Sequence, residues 1–120
     1  MRVATWNINS IRARIDRLSS WLERTTPDVV CLQETKTADD QFPIDRIESA
    51  GYRVAIYGQK AYNGVAILSR IEPANVERGL GDGLDEGEAR CIAATISSVR
   101  IVSAYVPLGT AVGTDKWIYK

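Results

Sequence analysis

The sequence predicts an α/β fold with a mixed sheet of about six strands, flanked by helices that lie mostly early in the chain. Two observations carry this prediction. The helical pattern "NSIRARIDRLSSWLER" stands between two apolar runs of strand length, and further short runs rich in β-branched residues follow it. A strand–helix–strand order indicates a crossover helix, while the later runs are close enough in the chain to pair as hairpins.

The first three elements are a strand, a helix and a second strand. Residues 3–8 mix β-branched and aromatic side chains, which favours a strand, and the apolar residues 29–33 favour a buried one. Between them, Asn9 or Ser10 is placed to cap the N-terminus of the helix. The helix has one apolar face, formed by Ile11, Ile15, Leu18 and Leu22.

The middle of the chain predicts one short helix and two strands. In "FPIDRIESAGY", Pro43 suits the first turn of a helix and Gly51 suits its end. Residues 52–57 and 64–69 are expected to form strands, joined by the polar loop "GQKAYN".

The remaining residues predict an exposed segment, a hairpin and an irregular tail. Residues 72–88 are rich in glycine and acidic residues, which indicates an exposed loop. Residues 89–96 and 99–106 alternate as two paired strands with a turn at Ser97 and Ser98. The tail "PLGTAVGTDKWIYK" is irregular, and its last residues are typical of the start of a helix.

Composition limits the class of protein. The 120 residues suffice for one domain, and their zero net charge at pH 7 gives no global field that points to nucleic acid or membrane. Cys31 and Cys91 both lie in apolar runs, which predicts buried, reduced thiols in a cytoplasmic protein. Since no apolar run approaches the ~20 residues that span a bilayer, no membrane partner is expected. The chain contains no histidine.

Polar side chains stand at the ends of three predicted strands, where α/β sheets bind ligands. The first strand ends near Asn7 and Asn9, the second ends at Glu34, and Tyr105 stands near the end of the last. A carboxylate at such a rim can hold Mg²⁺, which takes one or two carboxylates and keeps several waters, and an asparagine could add a neutral oxygen. Three nearby basic side chains suit a phosphate: Arg12, Arg14 and Lys36.

Each of these residues also has an ordinary structural interpretation. A glutamate after a strand, such as Glu34, is usually a solvated loop residue, and Asn9 is well placed as a helix cap. Tyr105 could be a half-buried aromatic residue whose hydroxyl finds a backbone partner. Lys36 and Arg14 could be surface charges. Position in the sequence does not decide between the two interpretations.

Six segments, "TWNINSIRAR", "PDVVCLQETK", "DDQFP", "GYRVAIYGQKAYNGVAILSR", "EARCIAA" and "SAYVP", occur in an order that resembles the exonuclease III family. That family belongs to the exonuclease–endonuclease–phosphatase superfamily and is related to the apurinic/apyrimidinic endonucleases. The resemblance runs from Met1 to Lys120. It implies the N-terminal half of a four-layer α/β sandwich of the deoxyribonuclease I-like type.

The resemblance also implies an activity and a partner. Family members are Mg²⁺-dependent phosphodiesterases, with Mn²⁺ as a substitute, that act in base-excision repair in the bacterial cytoplasm. Their substrate is double-stranded DNA, which they cut 5′ to an abasic site and trim at 3′ ends.

Residue roles follow from the same resemblance. Glu34 matches the metal-binding glutamate, Asn7 matches an asparagine that shapes the metal and catalytic pocket, and Asn9 lies beside the metal, where some relatives carry aspartate. Tyr105 matches the tyrosine near the scissile phosphate. Six further residues fall in segments that approach DNA in relatives, or near the same pocket: Arg12, Lys36, Lys60, Tyr62, Asn63 and Arg90.

The sequence departs from the family pattern in several places. It lacks the Gly-Asp-x-Asn motif, a further aspartate and the Asp–His pair, and Leu108 stands where the family usually has asparagine. We therefore expect residues 1–120 to be the N-terminal part of a single domain whose C-terminal half is absent, with little or no activity alone. Such a half should expose a sheet face, which predicts self-association or pairing with a separate C-terminal half.

Two alternatives remain at this point. The chain could be a non-catalytic, truncated homologue that serves as a dimerisation or partner-binding module. It could also be a phosphoesterase of the same superfamily that acts on small molecules or lipid headgroups. The segments "WNINSIRAR" and "NGVAILSR" favour the nuclease branch over the second alternative.

Overall fold

Two β-sheets and two α-helices make up the part of the chain that the computed structural model describes, residues 1–79 and 89–105. The helices are α1 (Ile15–Thr25) and α2 (Ile44–Ser49), and Asp39–Gln41 forms one turn of 3-10 helix. The strands are β1 (Val3–Asn7), β2 (Val29–Gln33), β3 (Arg53–Tyr57), β4 (Val65–Ser69), β5 (Ala74–Arg78), β6 (Cys91–Ile96) and β7 (Val99–Ala104).

The first sheet is mixed, with the strand order β1-β2-β4-β3. Its strands β1 and β2 are parallel, as expected of two strands joined by the crossover helix α1, and the other pairs are antiparallel. Strand β4 is buried along its whole length and β2 is buried up to Leu32, in agreement with their continuous apolar sequences.

The first sheet packs against other layers on both faces, although β1 is covered on one face only. One face packs against α1 and α2 through a cluster that includes Leu18, Leu22 and Ile47. The other face packs against the antiparallel second sheet, β5-β6-β7, through a cluster that joins residues such as Ile67 to Ile92. The described residues thus form helix, sheet and sheet layers, and the predicted α/β fold class is confirmed.

The first sheet was expected to leave one face exposed, and the burial of its residues corrects this expectation. The second sheet of the same chain covers that face over β2, β4 and β3, whereas the β1 residues that point to the same side, Val3, Thr5 and Asn7, are exposed. Among the described residues, the outer face of the second sheet is open, with Val102 54% exposed, and the edge strands of the two sheets are β1 and β3, and β5 and β7. Strand β7 contacts β2 and β4 whereas β6 contacts β4 and β3, so the edges of β1 and β7 lie on one side of the sandwich.

Three expectations about individual elements need correction. The described residues contain seven strands in two sheets instead of about six in one, because β5 lies inside the segment expected to be a loop. Helix α1 begins at Ile15, and neither Asn9 nor Ser10 caps it. The Ser10 hydroxyl instead accepts the Ala13 N–H, at 3.3 Å, in a turn that precedes the helix.

The other predicted elements agree with the structure to within one or two residues, including the short helix between Pro43 and Gly51 and the hairpin β6–β7. Leu108, most of the acidic segment and the tail lie outside the described residues. Neither helix in residues 1–79 and 89–105 is long and apolar enough to cross a membrane.

Candidate active site

One end of the sandwich gathers the predicted site residues. The C-terminal ends of the parallel strands β1 and β2 meet there, which brings Asn7 beside Glu34. Because β4 runs antiparallel to β2, the residues that precede it, ending at Gly64, reach the same edge. In the second sheet, Arg90 precedes β6 and Tyr105 follows β7, and the two meet through a hydrogen bond from the Tyr105 N–H to the Arg90 carbonyl, at 2.7 Å.

The loops at this edge are joined through their main chains. The loop after β1 donates to the loop after β2, which donates to the loop before β4, which in turn donates to the segment before β6. The N–H to carbonyl pairs are Ser10 to Glu34 at 2.8 Å, Ile11 to Thr35 at 3.0 Å, Thr35 to Gly64 at 3.1 Å, Lys36 to Asn63 at 2.9 Å, and Gly64 to Ala89 at 2.8 Å. The edge is therefore held by backbone atoms, independently of most side chains.

Strained backbone conformations concentrate in these loops. The described residues include ten non-glycine residues with positive φ, and six of them lie in the three loops after β1, after β2 and before β4. These six are Asn9, Ser10, Glu34, Lys36, Ala61 and Asn63. Left-handed conformations in non-glycine residues cost free energy and persist where surrounding contacts enforce them, which is common at functional sites.

Glu34 is the carboxylate at the centre of this edge. Its Oε2 accepts a hydrogen bond from Asn7 Nδ2 at 2.6 Å, and its Oε1 lies 3.7 Å from Lys36 Nζ. Lys36 Nζ also donates to Asn9 Oδ1 at 2.6 Å. The predicted metal residues Asn7, Asn9 and Glu34 therefore lie in one network, with the ammonium group of Lys36 inside it.

Thr35 and Gly64 hold the glutamate loop in place. Thr35 is fully buried, and Gly64 has a φ of +91°, a conformation that favours glycine. A Cβ atom at Gly64 would approach Thr35 Oγ1 closer than 3.0 Å, so the two loops can meet only where residue 64 lacks a side chain. This contact fixes the backbone on the C-terminal side of Glu34.

Tyr105 is electrostatically connected to the same edge. Partial burial raises the pKa of its hydroxyl, the negative charge of Glu34 raises it further, and the positive charge of Arg90 lowers it. The hydroxyl is therefore protonated at neutral pH and available as a hydrogen-bond donor.

A basic cleft of about 520 Å³ lies beside the carboxylate. It is lined by the cationic residues Arg12, Lys36 and Lys60, together with one acidic residue, Asp40. Tyr62 is 68% exposed in the loop before β4. A cleft with three cations and an exposed aromatic ring nearby can accept a phosphate backbone.

Two predicted residues have structural roles. Arg14 donates from its guanidinium to the Asn9 carbonyl at 2.6 Å and so braces the loop after β1. Asn63 donates from its side chain to Gln59 Oε1 at 3.0 Å, and its carbonyl receives the Lys36 N–H. The phosphate contacts proposed for both residues stay predictions.

Sequence reasoning missed three residues that build the site: Thr35, Gln59 and Gly64. Gln59 Oε1 accepts the Ala89 N–H at 2.9 Å as well as the Asn63 amide, which joins the loop before β4 to the second sheet. The only available signal was that Gln59 and Gly64 belong to, or directly follow, the polar loop "GQKAYN".

Comparison with known proteins supports a nuclease fold. Residues 4–118 match the model of the endonuclease/exonuclease/phosphatase family. The chain is 36% identical over 113 residues to exodeoxyribonuclease III of Haemophilus influenzae and 34% identical over 112 residues to the DNA repair nuclease APEX1 of Danio rerio. These alignments cover 91% and 89% of the chain but only 42% and 36% of the two relatives.

Solved structures agree. A 3′ phosphatase from Neisseria, bound to a product DNA hairpin, superposes with a TM-score of 0.89 at 39% identity. An AP endonuclease from Archaeoglobus fulgidus superposes with a TM-score of 0.88 at 39% identity. Each match covers 99% of this chain and 46% of the other, so the chain spans less than half the length of the relatives it matches.

Proposed function

Because the chain belongs to the endonuclease/exonuclease/phosphatase family, we propose that it supplies the metal-anchoring part of a nuclease that hydrolyses DNA phosphodiesters in base-excision repair. The proposed activities are those of an exodeoxyribonuclease III, namely 3′–5′ exonuclease action and cleavage at abasic sites. One observation carries the proposal: the Glu34 carboxylate is held by Asn7 at 2.6 Å on the rim that also carries Tyr105 and the basic cleft. The names of its relatives, which include a DNA repair nuclease, support the substrate class.

The proposed metal is Mg²⁺, with Mn²⁺ as a substitute. Nucleases of this family generally depend on a divalent metal ion. The donors fit, since Glu34 offers one carboxylate beside the neutral oxygen of Asn9, and Mg²⁺ accepts such a sparse set because it keeps several waters. No group of three or more His, Cys, Asp or Glu residues forms within residues 1–79 and 89–105. When bound, the ion would neutralise charge that develops on the phosphate.

Asn7 and Tyr105 have distinct proposed roles. Asn7 orients the carboxylate of Glu34 through its amide, as residues that contact a metal ligand commonly do. Tyr105, whose raised pKa keeps the hydroxyl protonated, donates a hydrogen bond to a phosphate oxygen. A fixed donor aimed at the developing charge stabilises the transition state.

The proposed DNA contact is electrostatic and independent of base sequence. Arg12 and Lys60 line the cleft beside Glu34, and cations in such a cleft bind phosphates with an affinity that falls as salt rises. Tyr62 is exposed enough to contact a sugar or base, and Arg90 acts through its charge on Tyr105. The proposed ligand is double-stranded DNA with an abasic site or a 3′ end.

The 120-residue chain alone is expected to cleave DNA weakly or not at all. It contains no histidine and no Gly-Asp-x-Asn segment, so the activation of the attacking water would need groups from outside this sequence. Members of a catalytic unit act together, and removal of one costs orders of magnitude in rate.

We further propose that the free edges of β1 and β7 are the surface where a partner completes the domain. Within residues 1–79 and 89–105, β1 and β7 have no strand partner on their outer edges, which lie on one side of the sandwich, and Val3 and Val102 are 51% and 54% exposed on these strands. A separate C-terminal half or a second copy could add strands at these edges.

Binding to an abasic-site duplex in Ca²⁺, measured by fluorescence anisotropy over a range of salt, tests the DNA proposal. Arg12→Gln and Lys60→Gln should each weaken binding and lower the salt slope by about one. Arg53→Gln is the matched control, because Arg53 begins β3 at the opposite end of the sandwich, 3.8 Å from Glu72. Affinities that match the wild type in both cleft variants would contradict the proposed DNA surface.

Cleavage of the same duplex in Mg²⁺ tests the metal anchor. We expect little product, and Glu34→Gln should remove any that forms. Robust cleavage that survives this substitution would exclude Glu34 as the anchor. Hydrolysis of a small phosphoester without duplex binding would favour the non-DNA phosphoesterase instead.

A further inference from the structure

Lys36 occupies an unusual position for a residue that is expected to bind DNA. Its Nζ donates to Asn9 Oδ1 at 2.6 Å and lies 3.7 Å from Glu34 Oε1. Those two oxygens are the ones that the proposed function assigns to a metal ion. The other carboxylate oxygen, Oε2, already accepts the Asn7 amide at 2.6 Å. The ammonium group therefore neutralises the carboxylate in the absence of a metal.

The backbone around Lys36 is fixed, whereas its side chain can move. Glu34 and Lys36 have φ values of +54° and +55°, and the Lys36 N–H donates to the Asn63 carbonyl at 2.9 Å. The Lys36 side chain is 32% exposed and ends in a compact charge on a flexible four-carbon stem. Its Nζ can leave the carboxylate without a change in the loop.

A second place for this ammonium group lies next to the first. Lys36 also lines the basic cleft, together with Arg12 and Lys60. A phosphate in that cleft would be an alternative partner for Lys36, because it is negatively charged like the Glu34 carboxylate.

We propose that Lys36 is an exchangeable cation, which neutralises Glu34 in the metal-free protein and moves to a DNA phosphate when a divalent ion takes its place. The inference rests on the proposed function, because it requires Glu34 as the metal anchor. Metal and DNA then bind cooperatively: each removes Lys36 from a contact that opposes the binding of the other. By thermodynamic linkage, the factor by which the ion raises DNA affinity equals the factor by which DNA raises ion affinity.

Mn²⁺ binding to the free protein, measured by electron paramagnetic resonance at constant pH and salt, is the first test. Lys36→Gln should bind Mn²⁺ at least about fivefold more tightly than the wild type, because a positive charge within ~4 Å of the anchor has been removed. Lys60→Gln changes net charge and cleft charge by the same amount, but among the described residues Lys60 makes no hydrogen bond or ion pair with Glu34 or Asn9, so this variant should bind Mn²⁺ like the wild type.

The second test measures cooperativity. Affinity for the abasic duplex is compared in Ca²⁺ and in EDTA for the wild type, Lys36→Gln and Lys60→Gln. The affinity in Ca²⁺ divided by the affinity in EDTA should be larger for the wild type and for Lys60→Gln than for Lys36→Gln. The Lys60 variant corrects for screening of DNA by Ca²⁺, which acts on all three proteins alike.

The outcomes separate this inference from the proposed function. If the wild type and Lys36→Gln bind Mn²⁺ equally, and adding Glu34→Gln to either protein abolishes that binding, the exchange would be overturned and Glu34 would remain the anchor. Mn²⁺ binding that Glu34→Gln does not affect, or no Mn²⁺ binding by any variant, would overturn the metal site and the exchange together. Far-ultraviolet circular dichroism establishes that each variant is folded.

Discussion

At the scale of single residues, the sequence predicted which side chains meet but not how they are held. Asn7 and Glu34 were placed together by the parallel order of two strands and by family resemblance, and the structure brings them to 2.6 Å. The partnership of Lys36 with Asn9 was not foreseen, because it depends on left-handed φ values that no pattern in "CLQETK" indicates. Gly64 was missed for the same reason, and Thr35 was missed because nothing in the sequence indicates that this polar residue is fully buried.

Gly64→Ala should destabilise the protein strongly. The new Cβ would overlap Thr35 Oγ1 at a φ of +91°, and clash and backbone strain together should cost about 2–4 kcal/mol of unfolding free energy. Gly51→Ala is the matched control, since its φ is +93° but no atom lies within 4 Å of the added carbon. Gly51→Ala should lower the unfolding free energy, measured by urea denaturation, by only about 1 kcal/mol. Equal losses in the two variants would refute the close approach of the loops.

The buried thiol of Cys31 should make stability fall at alkaline pH. Burial raises its pKa from 9.0 to about 11, against a smaller lowering effect of a hydrogen bond with Ser103. A raised pKa in the folded state stabilises the protein fully below pH 9, and this contribution is lost as pH rises from 9 through 11. The loss should reach roughly 2 kcal/mol at pH 10.5.

Urea denaturation of the wild type and Cys31→Ala between pH 8 and 10.5 measures the thiol's share. Tyr52 and Tyr105 also have pKa values raised by burial, so some alkaline loss should remain in the variant. Identical pH slopes in the two proteins would show that Cys31 does not contribute.

At the scale of elements, apolar patterns predicted the position of a strand where the strand is buried and failed to predict it where the strand is exposed. Strands β2 and β4 have continuous apolar sequences and were predicted to within one residue. Strand β5 was missed because only Val76 of its five residues is partly buried and because Glu77 and Arg78, which follow Val76, are charged. The start of α1 was placed too early because Ile11 is buried, as a helix face would require, although it lies in a turn tied to Thr35.

Ser103 joins the two sheets and should be important for their packing. It is 1% exposed, its hydroxyl donates to the Leu32 carbonyl at 3.0 Å, and it accepts from Gln33 Nε2 at 3.1 Å. Ser103→Ala leaves the Gln33 amide with one partner fewer and should cost about 1–2 kcal/mol of unfolding free energy. Thermal denaturation measures this change. In the same measurement Ser20→Ala, at an exposed position on α1, should leave the unfolding free energy unchanged. A neutral Ser103→Ala would show that apolar packing alone joins the sheets.

At the scale of the whole molecule, composition gave little indication of the site. The net charge is zero, yet three cations line one cleft that holds a single acidic residue, Asp40, and lies beside Glu34. Totals cannot show such local separation of charge, because it arises when the fold brings residues 12, 36 and 60 together. The second sheet was not predicted within this chain, because the sequence pattern was assigned to one mixed sheet of about six strands.

The free edges of β1 and β7 should make the chain self-associate as its concentration rises. Sedimentation velocity should show dimers or larger species, and Val3→Lys with Val102→Lys should shift the protein toward monomer, because lysine at an edge opposes strand pairing. Ile71→Lys serves as the control, since Ile71 is 46% exposed but lies beyond the far end of β4. A monomer at high concentration in the wild type would contradict the edge proposal.

The wide sequence separation of the site residues also bears on the order of folding. Asn7 and Glu34 are 27 residues apart and become neighbours once β1, α1 and β2 have assembled. The second sheet joins later in the chain, since the contact of Ser103 with Gln33 spans 70 residues, and long-range pairing of this kind is slow. Hydrogen exchange during refolding should therefore protect β2 before β7. During synthesis, Glu34 would therefore reach its place beside Asn7 well before Tyr105 joins the same edge.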